Sequence, residues 1–515
     1  MKYKNPIIPG FYPDPSICKA GTTYYLVCSS FQYYPSVPLF ESNDLINWNQ
    51  IGHVLTRESQ LSLENAGASD GIFAPTIRYN EGRFYMVTTD ITGIGNFYVW
   101  TDDIHGEWSD PIKVDQGGID PSLYFEDNKA YFMSNGLDDE GNEGITQCEI
   151  DIVTGKKLTP SRCIWKGTGG RFLESPHLYK IDKVYYLMAA EGGTEYGHMV
   201  VYARGNTPYG PFENYPGNPV LTNRNLGGYR IQGCGHSDLV QDDWGNWWMV
   251  HLAFRQMSKW ELYHTTGREV YLVPVTFNQE GWFTAGVDGT TRSIIETDRL
   301  PEGTVQTICP EYNFNNTKIG REWCFIRYPH KDCYSFDEAT LKLTGTEVTL
   351  ESEKGSPTAV FLRQKEMIGD ISCEVTVQEQ EAGITLYMDQ NQHYDLAVRK
   401  TTSGYEIIKR ICIGDVKCIQ KSVSIATEAV KITVSLRIHI EETEYSFEAA
   451  CGEDVYPLDH AMTKYLSTEV AGGFTGVMIG LYAQGDGVTC RMPAEFSDFR
   501  YVIPATEAVD EGDIR

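Results

Sequence analysis

The stretch DPSICKAGTTYYLVCSS at residues 14–30 places two apolar runs on either side of a polar turn. An Asp-Pro pair opens it, Gly-Thr-Thr marks the turn, and an aromatic-rich run closes it. This is the turn chemistry of a β-hairpin. The same plan returns as APTIRYNEGRFYMVTTD at 74–90, DPSLYFEDNKAYFMSNG at 120–136, SPHLYKIDKVYYLMAAE at 175–191 and HSDLVQDDWGNWWMVHL at 236–252. The opening positions are 60, 46, 55 and 61 residues apart. Further strand-like sequence follows each hairpin, as in VPLFESNDLINWNQIG at 37–52. A period of roughly 40–50 residues with several short strands is the signature of a propeller blade. Five such repeats predict a five-bladed β-propeller over residues 1–295. A β-sandwich is the competing architecture, but it does not explain a recurring opening motif.

In a propeller the first strand of each blade lines the central axis, so equivalent positions converge at one mouth of the channel. Asp14 opens the first repeat, Asp120 opens the third, and Glu174 directly precedes the fourth. Three carboxylates are therefore expected in one pocket. Pro15 and Pro121 each remove an N–H and fix the backbone beside the acid. Singly, Asp-Pro and Ser-Pro read as turn punctuation. In register across a five-fold repeat they read as a functional cluster.

Clustered carboxylates with nearby aromatic rings fit glycoside hydrolysis. One carboxyl must stay protonated to serve the leaving oxygen, and another must be ionised to activate water. A third can hold their charge states apart. Metal binding is the alternative use of such a cluster. No HxH, HExxH or EF-hand pattern supports it, so no metal ligands are assigned. A lectin-like propeller that binds sugars without cleaving them is the alternative of another class, and it has no need of three carboxylates in register.

The 515-residue chain is too long for one core. Asp and Glu outnumber Lys and Arg by 70 to 43, a formal charge of −27. An acidic surface without a basic patch excludes nucleic acid and anionic membranes as partners. It favours a neutral substrate. No run of about 18 apolar residues could span a membrane, and the N-terminus lacks the apolar core of a signal peptide. The 13 cysteines have no paired spacing, which suggests reduced thiols and a cytoplasmic location.

The repeat stops at SIIETDRLPEGTVQTICPE, and residues 296–310 read as a linker. From 311 to 503 short alternating strands separated by turn residues suggest a β-sandwich. Residues 504–515 form an acidic tail. In AGGFTGVMIGLYAQ, the glycines around Phe474 suit an exposed loop tip. The alternative is that Phe474 packs in the sandwich core.

Several motifs together resemble glycoside hydrolase family 43, in its two-domain β-xylosidase and α-L-arabinofuranosidase branch. They are NPIIPGFYPDPSICKAGTTYYLVCSSF, GIFAPTIRY, GGIDPSLYFEDNKAYF, LESPHLYK, GHSDLVQD and TGREVYLVPV, with WCFIRYP, AGITLYMDQNQHYDLAV and GGFTGVMIGLYA in the second half. The resemblance implies an inverting exo-hydrolase that releases xylose from β-1,4-xylo-oligosaccharides, often with arabinofuranosidase activity. It implies an all-β fold, a propeller followed by a jelly-roll or concanavalin-like sandwich, and a homo-oligomer. By position it makes Asp14 the general base, Glu174 the general acid, and Asp120 the residue that tunes and orients the acid. It assigns Arg268 to substrate binding, Phe31 and Phe73 to the pocket lining, and Phe474 to a wall contributed by the sandwich. His236 becomes an axial histidine, where some members also hold Ca2+ or a water; no cofactor is required. Position 73 is Phe where many relatives have Trp, and the acid motif is ESPH where EGPH is more frequent.

Overall fold

Aromatic and β-branched residues at alternate positions make nearly all of the regular structure of this chain β-strand. A computed structural model describes residues 1–515 except 258–261, 301–304, 308, 310, 315–318, 338 and 505–515. Residues 16–285 form five four-stranded antiparallel sheets. Each opens with a hairpin of the repeat. The opening strands are Ser16–Ala20, Thr76–Asn80, Ser122–Glu126, Glu174–Ile181 and Ile231–Gln241. They contact one another in cyclic order, so the sheets form a ring with these strands innermost.

A sheet buried on both faces needs apolar residues on both, and this chain supplies them in five wedges. Val27 and Leu39 cluster with Ile77 and Met86. Val87 meets Leu123 and Phe132, and Met133 meets Leu178 and Leu187. Met188 and Val200 cluster with Met249 and Val273. Val250 and Leu272 then meet Ile17 and Leu26 of the first sheet, which closes the ring. Each buried side chain of this size contributes about 1.5–3 kcal/mol. The N-terminal strand Lys2–Lys4 pairs with Ile294–Glu296 and ties the two ends together.

The axis of the ring is polar. Asp238, fully buried, accepts from Ser16 Oγ at 2.6 Å, Ile17 N at 3.1 Å and Arg78 Nη1 and Nη2 at 2.7 and 3.1 Å. The Tyr179 hydroxyl also donates to it. Burial opposes the charge, but Arg78 outweighs it and holds the carboxyl far below the usual range. Burial lowers His177 to about 3, so its Nδ1 is free to accept from Arg78 Nη2 at 2.8 Å. Four of the five innermost strands meet through this one carboxylate.

Residues 311–502 form two sheets packed face to face, one of eight strands and one of six. Strand Gly369–Val377 shows the rule, with Ile371, Cys373, Val375 and Val377 inward and Ser372, Glu374 and Thr376 outward. The outer face of the six-stranded sheet covers one end of the ring. There Phe361, Tyr387, Met478 and Tyr482 pack with Phe11, Phe31 and Tyr33. Arg363 is buried in this contact, donating to Phe11 O at 2.6 Å and lying over the Tyr12 ring at 4.2 Å. Strand Tyr33–Tyr34 pairs directly with Phe325–Ile326. Within the expected linker, residues 301–304, 308 and 310 lie outside the described residues, as does 505–515 of the expected tail. No described helix is long and apolar enough to cross a membrane.

Asp238→Ala strands the Arg78 guanidinium in the channel without its counter-ion. Losing one partner of a buried pair costs about 3–5 kcal/mol. Denaturant unfolding should show that loss, with partial recovery in Asp238→Ala/Arg78→Met. An Asp238→Ala protein with the parent's midpoint would refute the role of the pair.

Candidate active site

The recurring motif encodes a backbone turn. Asp14, Asp120, Ser175 and His236 occupy the same first position in four of the five hairpins, and their φ angles are +57°, +53°, +56° and +44°. The left-handed region is costly for residues other than glycine and is held only where the surrounding structure enforces it. Glu174 directly precedes the turn at Ser175, in the fourth hairpin, and begins its strand.

The eight residues singled out from the sequence line one pocket: Asp14, Phe31, Phe73, Asp120, Glu174, His236, Arg268 and Phe474. Ala74, Ile119, Thr194 and His198 complete it.

The three carboxylates have different surroundings. Asp14 accepts from Ser29 Oγ at 2.5 Å and from Arg268 Nη1 at 3.0 Å, with His236 Nδ1 at 3.6 Å. Burial works against its charge, but Arg268, His236 and Ser29 together hold it below the ordinary value. Asp120 has no cation so close. It accepts from Ser175 N at 3.2 Å and lies 3.8 Å from His236 Nδ1. Burial, then the charges of Glu174 and Asp14, push it well above the carboxylate range. Glu174 is also raised, by burial and then by Asp14, with Arg268 opposing. Asp120 and Glu174 thus compete for one proton while Asp14 stays ionised. The Ser175 N–H favours charge on Asp120, but burial and the neighbouring acids outweigh it there.

Burial lowers both His236 and His198, so these rings are neutral and Arg268 is the cation of the pocket. Its Nη1 also donates to Thr194 Oγ1 at 3.0 Å, and its Nη2 donates to Phe474 O at 3.3 Å. The guanidinium lies 5.8 Å from the Phe31 ring and 5.5 Å from the Phe474 ring.

Phe474 is not a core residue of the sandwich. It is 37% exposed, stacked on Phe31 at 6.0 Å and edge-on to Phe73 at 6.3 Å. Its N–H donates to Ser69 Oγ at 2.9 Å. The loop that carries it is clasped through Glu469, which accepts from the Tyr196 hydroxyl at 3.0 Å and from His264 N at 3.2 Å. His264 Nδ1 lies 2.9 Å from the same carboxylate.

Calcium near His236 does not fit the residues present. That ion takes six to eight oxygens, whereas His236 offers a ring nitrogen beside Asp14, which Arg268 already pairs. Deeper on the axis Asp238 is paired with Arg78. Among the described residues no group of three or more His, Cys, Asp or Glu is arranged to hold an ion.

Sequence reasoning passed over Ser29, at the end of the first repeat, and over Thr194 and His198, which lie outside the repeats. Thr194 and His198 follow the fourth hairpin in GGTEYGH, where no repeat marks them. Arg78 and Asp238 did lie inside motifs read as recurrent, APTIRY and GHSD, but their pairing across the ring is invisible in one dimension.

The family model for glycosyl hydrolases family 43 matches residues 3–283. The chain belongs to this family. A second model, the β-xylosidase C-terminal concanavalin A-like domain, matches residues 311–502. A non-reducing end α-L-arabinofuranosidase of Bacteroides ovatus is 38% identical, over 97% of this chain and 94% of that protein. A β-xylosidase of Bacillus subtilis is 30% identical, over 97% and 99%. Among solved structures, the Bacteroides ovatus xyloglucan PUL GH43B superposes with a TM-score of 0.90 at 35% identity, covering 98% of this chain and 100% of that one. A xylan β-1,4-xylosidase from Bacillus halodurans gives 0.87 at 30%, covering 97% and 99%.

The three carboxyls of this family 43 protein should separate in a carbon-13 NMR titration. Asp14 is expected to stay ionised below the usual aspartate range, while Glu174 titrates near neutrality, at about 7. Ordinary titration of all three near pH 4 would contradict this charge pattern.

Proposed function

We propose that the protein is an inverting exo-glycosidase that releases xylose from the non-reducing end of β-1,4-xylo-oligosaccharides. The observation that carries this reading is one pocket holding an ionised Asp14 and a protonated Asp120–Glu174 pair, walled on one side by Phe474. Glu174 donates its proton to the glycosidic oxygen as the bond to the leaving group breaks. Asp14 takes a proton from the water that attacks the opposite face. Asp120, whose titration is tied to that of Glu174, tunes the acid and holds the turn at Ser175. Arg268 keeps Asp14 charged and ties it to Thr194 and the Phe474 loop. A Phe474 wall suits a pocket that admits one terminal sugar better than an open groove that binds in mid-chain.

The names of the relatives support both a xylosidase and an arabinofuranosidase. The similarity to an α-L-arabinofuranosidase supports the second as a companion activity and as the alternative reading. The same acid and base serve either sugar. Comparing kcat/KM for an aryl β-xyloside and an aryl α-L-arabinofuranoside decides between them, with the xyloside expected to be preferred. NMR of the first-formed product should show α-xylose from a β-xyloside. β-Xylose appearing first would sink the inverting mechanism and make one carboxylate a nucleophile.

Glu174→Ala should lower kcat on xylobiose by on the order of 10²–10⁴-fold. Aryl xylosides with very acidic phenols need little protonation and should be much less affected. Equal losses on both would remove Glu174 from the acid's role.

A further inference from the structure

Glu191 ends strand Val184–Glu191 and is fully buried. Its carboxylate accepts from Thr168 N and Thr168 Oγ1, each at 2.6 Å, and from Gly170 N at 3.1 Å. Gly192 N donates back to Arg171 O at 2.7 Å. A buried charge is thus satisfied by one short loop, which it pins to the sheet.

That loop displays Phe172. The side chain is 55% exposed, and the backbone is held at φ +54°, a region that phenylalanine seldom adopts. The Cδ2–Cε2 edge of the ring approaches Gly193, where an added Cβ would come within 3.0 Å of it. The Arg171 guanidinium lies over one face of the ring, 4.6 Å from its centroid, and faces Glu195 at 3.8 Å, which leaves the other face for a ligand. Folding gains little from an exposed ring, since apolar stabilisation scales with area removed from water. A single exposed phenylalanine is ordinary. One fixed in a strained backbone by a buried carboxylate is a built feature.

Its position suggests the use. Phe172 is two residues before Glu174, and its partner Gly193 adjoins Thr194, which lines the pocket and binds Arg268. If Glu174 protonates the leaving oxygen, the leaving group lies on the Glu174 side of the pocket. We propose that Phe172 is the platform of an aglycone subsite, stacking on the apolar face of the sugar ring that is expelled. This rests on the glycosidase reading of the pocket. The ring acts on the leaving group and leaves the terminal sugar to Phe31, Phe73 and Phe474.

The test compares the parent with Phe172→Ala and Phe172→Trp on two glycosides of the glycone that the enzyme accepts. One carries a methyl aglycone and the other a xylosyl aglycone. Both leaving groups are weakly acidic alcohols that must be protonated as they depart, so both make a similar demand on Glu174. Phe172→Ala should lower kcat/KM for the xylosyl aglycone about three- to tenfold, the size of one ring-stacking contact. The methyl glycoside should be unaffected, the thermal midpoint should stay at the parent's, and Phe172→Trp should restore the loss. Equal losses on both glycosides, or no loss on either, would overturn the subsite. A parent enzyme inactive on both would instead overturn the glycosidase reading, and the subsite with it.

Discussion

The carboxylate of Asp238 joins strands that are far apart in sequence. Ser16 and Arg78 donate to it from the first and second sheets, Tyr179 from the fourth, and Asp238 itself belongs to the fifth. The same strands carry the active-site acids a few residues toward the mouth. Asp14 is two residues from Ser16, Glu174 three from His177, and His236 two from Asp238. Fixing the axis therefore fixes the distances among the groups at the mouth. The apolar wedges between the sheets supply most of the stabilisation, but they are tolerant of small shifts in a way that a buried, fully hydrogen-bonded ion pair is not. The ring gains its closure from the wedges and its alignment from Asp238.

The site works by unequal treatment of like groups. Three acids share a pocket whose buried histidines are neutral, so one cation must decide which acid is charged. Arg268 is 3.0 Å from Asp14 and settles the matter there. Asp120 and Glu174, raised by burial and by neighbouring charge, keep a proton between them. A general acid and a general base can then coexist at one pH, which a pocket with evenly placed cations would not allow.

Arg268 also joins the two halves of the molecule. The guanidinium that holds Asp14 donates to the backbone oxygen of Phe474, and Glu469 clasps the same loop to Tyr196 and His264. The pocket wall is thereby coupled to the catalytic charge, and the sandwich contributes to the site as well as to the fold. A third device, the Glu191-pinned loop with Phe172, leads directly into Glu174.

The sequence determined the all-β class and the five hairpins because each rests on a local signal, and the recurring motif drew Asp14, Asp120 and Glu174 together, whereas Phe31, Phe73, His236, Arg268 and Phe474 came from the family resemblance. Alternation, turn residues and a recurring opening motif are all visible within about twenty residues. The reason for the recurrence was less visible. The motif is kept because Asp14, Asp120, Ser175 and His236 share one left-handed turn, a property of backbone angles. Calcium near His236, admitted by resemblance, fails on the donor set that folding assembles there. The pairing of Arg78 with Asp238, 160 residues apart, depended wholly on closure of the ring. So did the partition of charge among the three acids, because pKa values follow from burial and from distances across the channel, which only the tertiary structure sets.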